Sequence, residues 1–256
     1  DNIKDMDGFK SGIQKAGEVS TNFLKVTAGA VAGVGAAFLA LGPATQEYRQ
    51  EMAKLETAFT TSGSSAETAK ETYTDLYRVL GDTGQATEAA NHLAQLTNEE
   101  KALSEWTDIC QGVYATFGAS LPIESLAEAA NETAKTGSLT GALADALNWA
   151  GVSEEDFQKK LEACNSEAER EALIRETLSG KYKEAAEAYE KNAAGILAQN
   201  EAQAKMTAVL AELGEVASPI MAMLTELGAE ILADLTPHIQ AFANEHLPKI
   251  KEALSG

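Results

Sequence analysis

A long uncharged segment near the amino terminus constrains the fold of this chain more than any other feature. The segment reads KVTAGAVAGVGAAFLALGPAT from Lys25 to Thr45, and no charge occurs from Val26 to Gln46. A run of about twenty uncharged residues is long enough to cross a bilayer. However, it contains Gly29, Gly33, Gly35 and seven alanines, and small side chains gain little from hydrocarbon. The segment is therefore a membrane span, a nucleotide-binding turn or a helix built for close packing.

The glycine spacing favours helix packing. A dinucleotide fingerprint needs a third glycine where this chain has Phe38, and no strand precedes the motif. Gly29 and Gly33 lie one helical turn apart, so they share a face on which another helix can approach closely. As a helix, Val26 to Leu41 spans about 24 Å, less than a hydrocarbon core. We expect Gly29 and Gly33 to lie on a protein contact face, and membrane insertion of residues 26–42 is the alternative.

The composition predicts an all-α protein that does not bind nucleic acid. The 256 residues are 45% hydrophobic but only 6% aromatic, which disfavours a β-sandwich, and no segment has the pattern of a strand. The net charge is −19, and residues 1–50 hold five acidic and five basic residues, so the negative charge lies in residues 51–256. Such an acidic body repels a phosphate backbone.

Helix-capping signals divide the chain into three regions. Capping boxes are predicted at Ser64, Thr97 and Ser166, with a weaker one at Ser153. Helix stops are predicted at Gly81, Gly118, Gly151 and Gly180. We expect an N-terminal helix and the small-residue helix in residues 1–45, a bundle of short helices in residues 46–180 and a long, coiled-coil-like helical segment in residues 181–256. The predicted helices are 5–23, 26–41, 45–60, 65–80, 85–96, 98–117, 123–135, 138–150, 153–164, 167–179 and 181 onward.

Apolar stripes in the middle of the chain predict the core of the bundle. They recur at spacings of three and four residues. Trp106 and Trp149 have an alternative role as anchors for a partner. The stripes consist of Leu76, Tyr77 and Leu80; of Trp106, Ile109, Val113 and Phe117; and of Leu143, Leu147 and Trp149.

The C-terminal region carries a narrow apolar stripe with an eleven-residue repeat. Its spacing corresponds to about 3.67 residues per turn, which suits a nearly straight or slightly right-handed coil. A long helix with such a stripe needs a partner, either another copy of itself or the bundle. The stripe consists of Leu213, Val216, Ile220, Leu224, Leu227, Ile231 and Leu235.

The sequence contains no recognisable catalytic or cofactor-binding motif. There is no HExxH, GxSxG, P-loop or Cys-His cluster. The three histidines, His92, His238 and His246, are expected on helix surfaces, although a parallel oligomer could stack the last two near its end. Cys110 and Cys164 are expected to be reduced, with a disulfide as the alternative. We therefore expect no enzyme activity, no cofactor and no metal site.

Two longer segments resemble a known family. The stretch YRQEMAKLETAFTTSGSSAETAKETYTDLYRVLGDTGQATEAANHLAQL, residues 48–96, resembles the helical domain of tail tape measure proteins of tailed bacteriophages and prophages. The stretch SLTGALADALNWAGVSEEDFQKKLEACNSEAEREALIRETL, residues 138–178, is similar to the part that follows it in those proteins. Because tape measure proteins are much longer and this chain does not begin with Met, we expect an internal segment.

The resemblance implies a structural role in the virion. Tape measure proteins lie in the tail tube, help to set its length, dock at the tail tip and leave ahead of the DNA. The implied partners are copies of the chain itself, as a trimer or hexamer, together with tail-tube and tail-tip proteins and, on ejection, the host membrane. The implied location is the phage tail, after synthesis in the bacterial cytoplasm. No functional residue is carried over from the family.

Overall fold

The described part of the protein is entirely helical. The computed structural model describes residues 31–227 with residues 241, 244 and 245, and it describes side-chain surroundings mainly from residue 38 to residue 222. No strand occurs within these residues, so the all-α prediction is confirmed for them. The α-helices are α1 (Val31–Ala44), α2 (Gln46–Thr61), α3 (Ala66–Leu80), α4 (Thr83–Leu96), α5 (Glu100–Phe117), α6 (Ile123–Thr136), α7 (Gly141–Trp149), α8 (Glu154–Ala163), α9 (Glu167–Asn192) and α10 (Ala194–Leu227).

Side-chain caps begin several helices where the sequence predicts them. The Ser166 hydroxyl accepts the backbone N–H of Glu169 at 3.1 Å, and Ser153 caps α8 in the same way. The capping box predicted at Ser64 is wrong by one residue, because Ser65 accepts the N–H of Thr68 instead. The Thr97 box is also wrong, since Glu99 occupies the cap position and makes no side-chain bond there.

Glycines with positive φ angles end helices at two of the predicted stops. Gly81 and Gly118 adopt φ angles of 66° and 54°, and the N–H of Gly81 bonds to the Tyr77 carbonyl at 2.7 Å. Gly151, with φ 71°, directly follows the cap residue of α7. The stop predicted at Gly180 is wrong, because α9 continues through this glycine.

Tertiary packing explains why α9 does not end at Gly180. Leu178 and Tyr182, on either side of the glycine, are both buried, so one helix places both in the core. This gain outweighs the intrinsic cost of about 1 kcal/mol for a glycine within a helix. The helix predicted from residue 181 onward therefore comprises the second half of α9, a break at Ala193, and α10.

The chain folds into two compact units. Residues 51–204 form one of them, here called the central unit. The other, here called the terminal unit, is described for residues 31–50 and 205–227. The predicted boundary at residue 180 falls inside α9.

The core of the central unit is built mainly from aromatic residues, leucine and alanine. Helices α5 and α9 share the most extensive contact, followed by α4 with α6 and α3 with α4. Many alanines are fully buried, which allows the short helices to approach one another closely. The largest fully buried side chains include Trp106, Tyr73, Phe59, Phe157, Leu55, Leu76, Leu93 and Leu103.

Candidate functional site

The C-terminal end of α1 contacts α10 through glycine. A Cβ atom added at Gly214 would lie 2.7 Å from the Leu41 carbonyl oxygen and would overlap the Thr45 hydroxyl. A Cβ atom added at Gly42 would lie 3.1 Å from the Ser218 hydroxyl. The contacts at Gly214 leave room for hydrogen only, so that position requires a residue without a side chain, whereas a Cβ atom at Gly42 needs the Ser218 hydroxyl to shift by only a few tenths of an ångström.

Hydrogen bonds from one arginine join the two helices at this contact. Arg49 Nη2 donates to the Gly42 carbonyl and to the Ser218 hydroxyl, both at 2.9 Å. Ser218 Oγ in turn donates to the Gly214 carbonyl at 2.8 Å. Both helices contain a proline next to these groups, Pro43 in α1 and Pro219 in α10. Prolines lack the N–H that continues a helical ladder, so each ladder is interrupted close to these side-chain bonds.

A small apolar cluster completes the contact. Phe38, Leu213 and Ala217 are buried together. Leu41 and Ile220 pack against them while remaining partly exposed. The apolar half of the contact is thus limited, and it depends on side chains from both helices.

The structure describes only some of the predicted packing residues. Leu213 and Ile220 belong to the cluster, where they pack against α1 and not against the bundle or a second copy, whereas Val216 is 42% exposed and takes no part in it. Ala217, not Val216, faces α1, because it lies four residues after Leu213 and therefore on the same face of the helix. Six predicted positions have no described side-chain surroundings. Gly33, Leu224 and Leu227 lie in described helices, whereas Gly29, Ile231 and Leu235 lie outside the described residues.

A second glycine contact joins α5 to α9 in the central unit. A Cβ atom at Gly112 would overlap the carbonyl oxygen of Tyr182 and would lie 2.8 Å from the Tyr182 Cβ. The phenol of Tyr182 donates to the Ala146 carbonyl at 2.6 Å, which ties α9 to α7. Burial raises the pKa of Tyr182 to about 12, so this donor stays protonated.

A buried polar network runs along the same pair of helices. The Trp106 indole N–H donates to Glu171 at 2.8 Å, and Arg175 donates to Glu171 at the same distance. Arg175 also pairs with Glu105. Burial by itself lowers the pKa of Arg175, but its hydrogen bonds to Glu171 and Glu105 reverse that effect and raise it. The bond from Arg175 lowers the pKa of Glu105. Every charge in this network has a partner, as burial requires.

An open cleft of about 580 Å³ lies beside this network. Arg78 pairs with Glu190, and Gln111 donates to Glu190 at 3.2 Å. Partial burial raises the pKa of Asp75 and of Asp108, against the influence of Arg78. The cleft is lined by Arg78, Glu105, Asp108, Ile109, Gln111, Ser179, Lys183, Ala186, Glu187 and Glu190.

The polar groups of the cleft serve to join helices. Arg78 of α3 pairs with Glu190 of α9, and Gln111 of α5 also donates to the Ala186 carbonyl of α9 at 2.9 Å. No group of three potential metal ligands occurs in the described part of the chain. The arrangement explains how three helices are held in register.

The two tryptophans have opposite environments. Trp106 is fully buried, so its predicted role as a partner anchor is corrected: its indole fills the core and bonds to Glu171. Trp149 is 77% exposed, so its predicted place in the core is wrong. Leu143 and Leu147 on the same helix are fully buried. The anchor hypothesis therefore applies to Trp149 alone.

Histidines and cysteines form no cluster among the described residues. His92 is partly buried, and its Nδ1 atom has no hydrogen-bond partner. His238 and His246 lie outside the described residues. Cys110 is buried, which raises the pKa of its thiol to about 12, and Cys164 is partly exposed. Both cysteines are free, in agreement with the prediction of reduced thiols.

The described helices include no candidate membrane span, since none of them is both long enough and apolar enough. Helix α1 has 14 described residues. Comparison of the chain with family models, with curated proteins and with solved structures finds no match.

Proposed function

We propose that this chain is a structural segment of a phage tail tape measure protein. In this role it helps to set tail length, docks in the tail tube or tip and leaves ahead of the DNA, without catalysing a reaction. The proposal rests first on the resemblance of residues 48–96 and 138–178 to that family. The structural observation that supports it most is the glycine contact between α1 and α10, where the uncharged segment is used for protein packing.

The contact also bears on the membrane-perforating alternative. Phe38 and Leu41, which an inserting segment of residues 26–42 would offer to lipid, pack against α10. Insertion would have to remove these contacts and the Arg49 bond to the Gly42 carbonyl. Packing against protein is therefore the better-supported role for the described part of this segment.

Self-association belongs to the same proposal. The part of the predicted stripe that lies beyond the α1 contact, from Leu224 towards Leu235, would pair copies of the chain in a coiled-coil-like assembly, as a trimer or hexamer. The partners would then be other copies, tail-tube proteins and tail-tip proteins. Because the net charge is −19, contact with the DNA that follows would be weak.

Purified tails test the proposal. We expect mass spectrometry to detect this chain in tails from the strain that encodes it, and cryo-electron microscopy to place it in the tube or tip. A Gly214→Leu variant should reduce the yield of tails, whereas Gly180→Ala, at a position with open space around it, should not. Absence of the chain from purified tails would contradict the proposal.

A further inference from the structure

Trp149 exposes a large apolar side chain on the central unit. It is 77% exposed, and the other large apolar side chains that are exposed within the described residues are Ile196 and Val216. An indole is the side chain that most often dominates binding at protein interfaces. Leaving it in water forgoes the burial that stabilises the rest of the core.

The local fold holds this indole in a fixed position. Helix α7 ends in a Schellman motif, in which Gly151 N–H bonds to Asn148 and Val152 N–H bonds to Leu147, both at 2.9 Å. The Phe117 ring supports one side of Trp149, with ring centroids 6.1 Å apart. Tyr182 supports Phe117 in the same way at 6.0 Å. The backbone and the Phe117 contact therefore restrict the positions that the indole can adopt before it binds.

The surroundings of Trp149 are acidic. Asp145 is exposed and lies four residues before Trp149, which places the two side chains next to each other on one face of α7. Glu154 lies nearby, because it accepts a hydrogen bond from Asn148 at 2.7 Å. Residues 51–204 contain 27 acidic and 12 basic residues. A cationic partner is attracted to this surface, whereas a second copy of the same acidic unit is repelled.

We propose that Trp149 and Asp145 form a docking site for a protein segment that carries arginine or lysine. The cation stacks on the open face of the indole and pairs with the Asp145 carboxylate, while neighbouring apolar groups of the partner cover the ring edge. The proposal goes beyond the tail assignment and does not depend on it.

Nuclear magnetic resonance of the full chain tests the site, because the two indole N–H groups report separately. The probes are an acetylated, amidated pentapeptide of sequence ARLRA and its uncharged analogue AQLQA. Only the arginine peptide should shift the Trp149 indole signal in a saturable way, and the buried Trp106 signal should not move. The Trp149→Phe variant assigns the signal by removing it.

Matched variants show which groups carry the binding. Because the Trp149 variants lack the reporting indole, their binding is measured by isothermal titration calorimetry. Trp149→Ala should abolish the binding of the arginine peptide, and Trp149→Phe should retain part of it. Asp145→Asn should weaken it about threefold, as expected for an exposed charge pair. Ile196→Ala, which removes another exposed apolar side chain, should leave it unchanged.

Four results would overturn the proposal. They are the absence of a saturable shift of the Trp149 signal, equal shifts with both peptides, unchanged binding in Trp149→Ala, and concentration-dependent broadening of the Trp149 signal without peptide that the Trp106 signal does not share. The last result would assign the surface to a second copy of the chain.

Discussion

Glycine brings two pairs of helices close together, α5 with α9 and α1 with α10. The groups that surround the two contacts differ. At Gly112, α9 lies against α5 within a core that also contains Trp106 and a network of paired charges. At Gly214, the helices are joined by a small apolar cluster and by hydrogen bonds from Arg49. Close approach alone thus does not determine how strongly a contact stabilises the fold, because the surrounding groups differ.

This difference leads to different expectations for the two units. The contact at Gly112 is part of an extensive core, so damage there should affect the cooperative unfolding of the central unit. The contact at Gly214 involves fewer buried groups, so damage there should appear as local opening of α1 and α10.

The largest effect is expected for Gly112→Ala. The added methyl group meets the Tyr182 backbone, which cannot rotate away as a flexible side chain could. We expect the free energy of unfolding of the central unit to fall by about 3 kcal/mol, measured by urea denaturation. The control is Gly180→Ala, which adds the same group to a helical glycine in open space and should raise stability by about 0.7 kcal/mol. Equal effects of the two variants would show that the α5 contact is not close.

A smaller effect is expected for Gly214→Ala. The new methyl group can displace the Thr45 hydroxyl, but it still meets the Leu41 carbonyl at 2.7 Å. We expect about 2 kcal/mol of local destabilisation, seen as faster hydrogen exchange in peptides covering residues 206–222. Exchange in α5 and α9 should not change. Faster exchange throughout the chain would contradict the distinction between the two contacts.

Replacement of Arg49 should come next in size. Arg49→Met retains much of the apolar stem but removes both hydrogen bonds from Nη2, to Gly42 and to Ser218. We expect a loss of about 1.5 kcal/mol in the same exchange experiment. Lys54→Met, which removes an exposed pair with Glu51, is the control and should have little effect.

The smallest effect is a pH dependence at the cleft. Partial burial and the charges of Glu190 and Glu105 raise the pKa of Asp108 above 3.8, although Arg78 acts in the opposite direction. The folded protein therefore binds this proton more tightly than the unfolded chain, and stability from this group falls as pH rises from 3.8 through the raised pKa. Asp108→Asn should gain thermal stability relative to the wild type over that range. A constant difference in Tm at all pH values would contradict this.

The sequence predicts the helices well where local chemistry decides. Ser166 is followed by Glu169, and both halves of this capping box form, with Glu169 accepting the N–H of Asn165 at 2.7 Å. Gly81 ends α3 because a left-handed residue is needed there. The helix stop predicted at Gly180 is wrong because the burial of Leu178 and Tyr182 keeps the helix continuous, and that burial depends on tertiary packing.

The contact residues are harder to predict. Trp149 lies two residues after the buried Leu147, which places it about 200° around the helix, so the helical period itself could have shown that it faces outwards. Gly112 gives no such signal, because a glycine within a predicted helix does not reveal which backbone lies against it. Arg49 likewise gives no local indication that it bonds to Ser218, 169 residues later.

A disulfide trap tests the central claim, that the uncharged segment packs on α10, most directly. The positions are Gly42 and Ser218, since a Cβ atom at Gly42 lies 3.1 Å from the Ser218 Oγ, which is one bond from the Ser218 Cβ, so the two Cβ atoms come within reach of a disulfide. In a Cys164→Ser background, Gly42→Cys with Ser218→Cys should form an intramolecular disulfide on mild oxidation of the full chain, with or without liposomes. Gly42→Cys with Val216→Cys, which is exposed, should not. Failure of the first pair to form the bond, or its loss when liposomes are present, would contradict the claim.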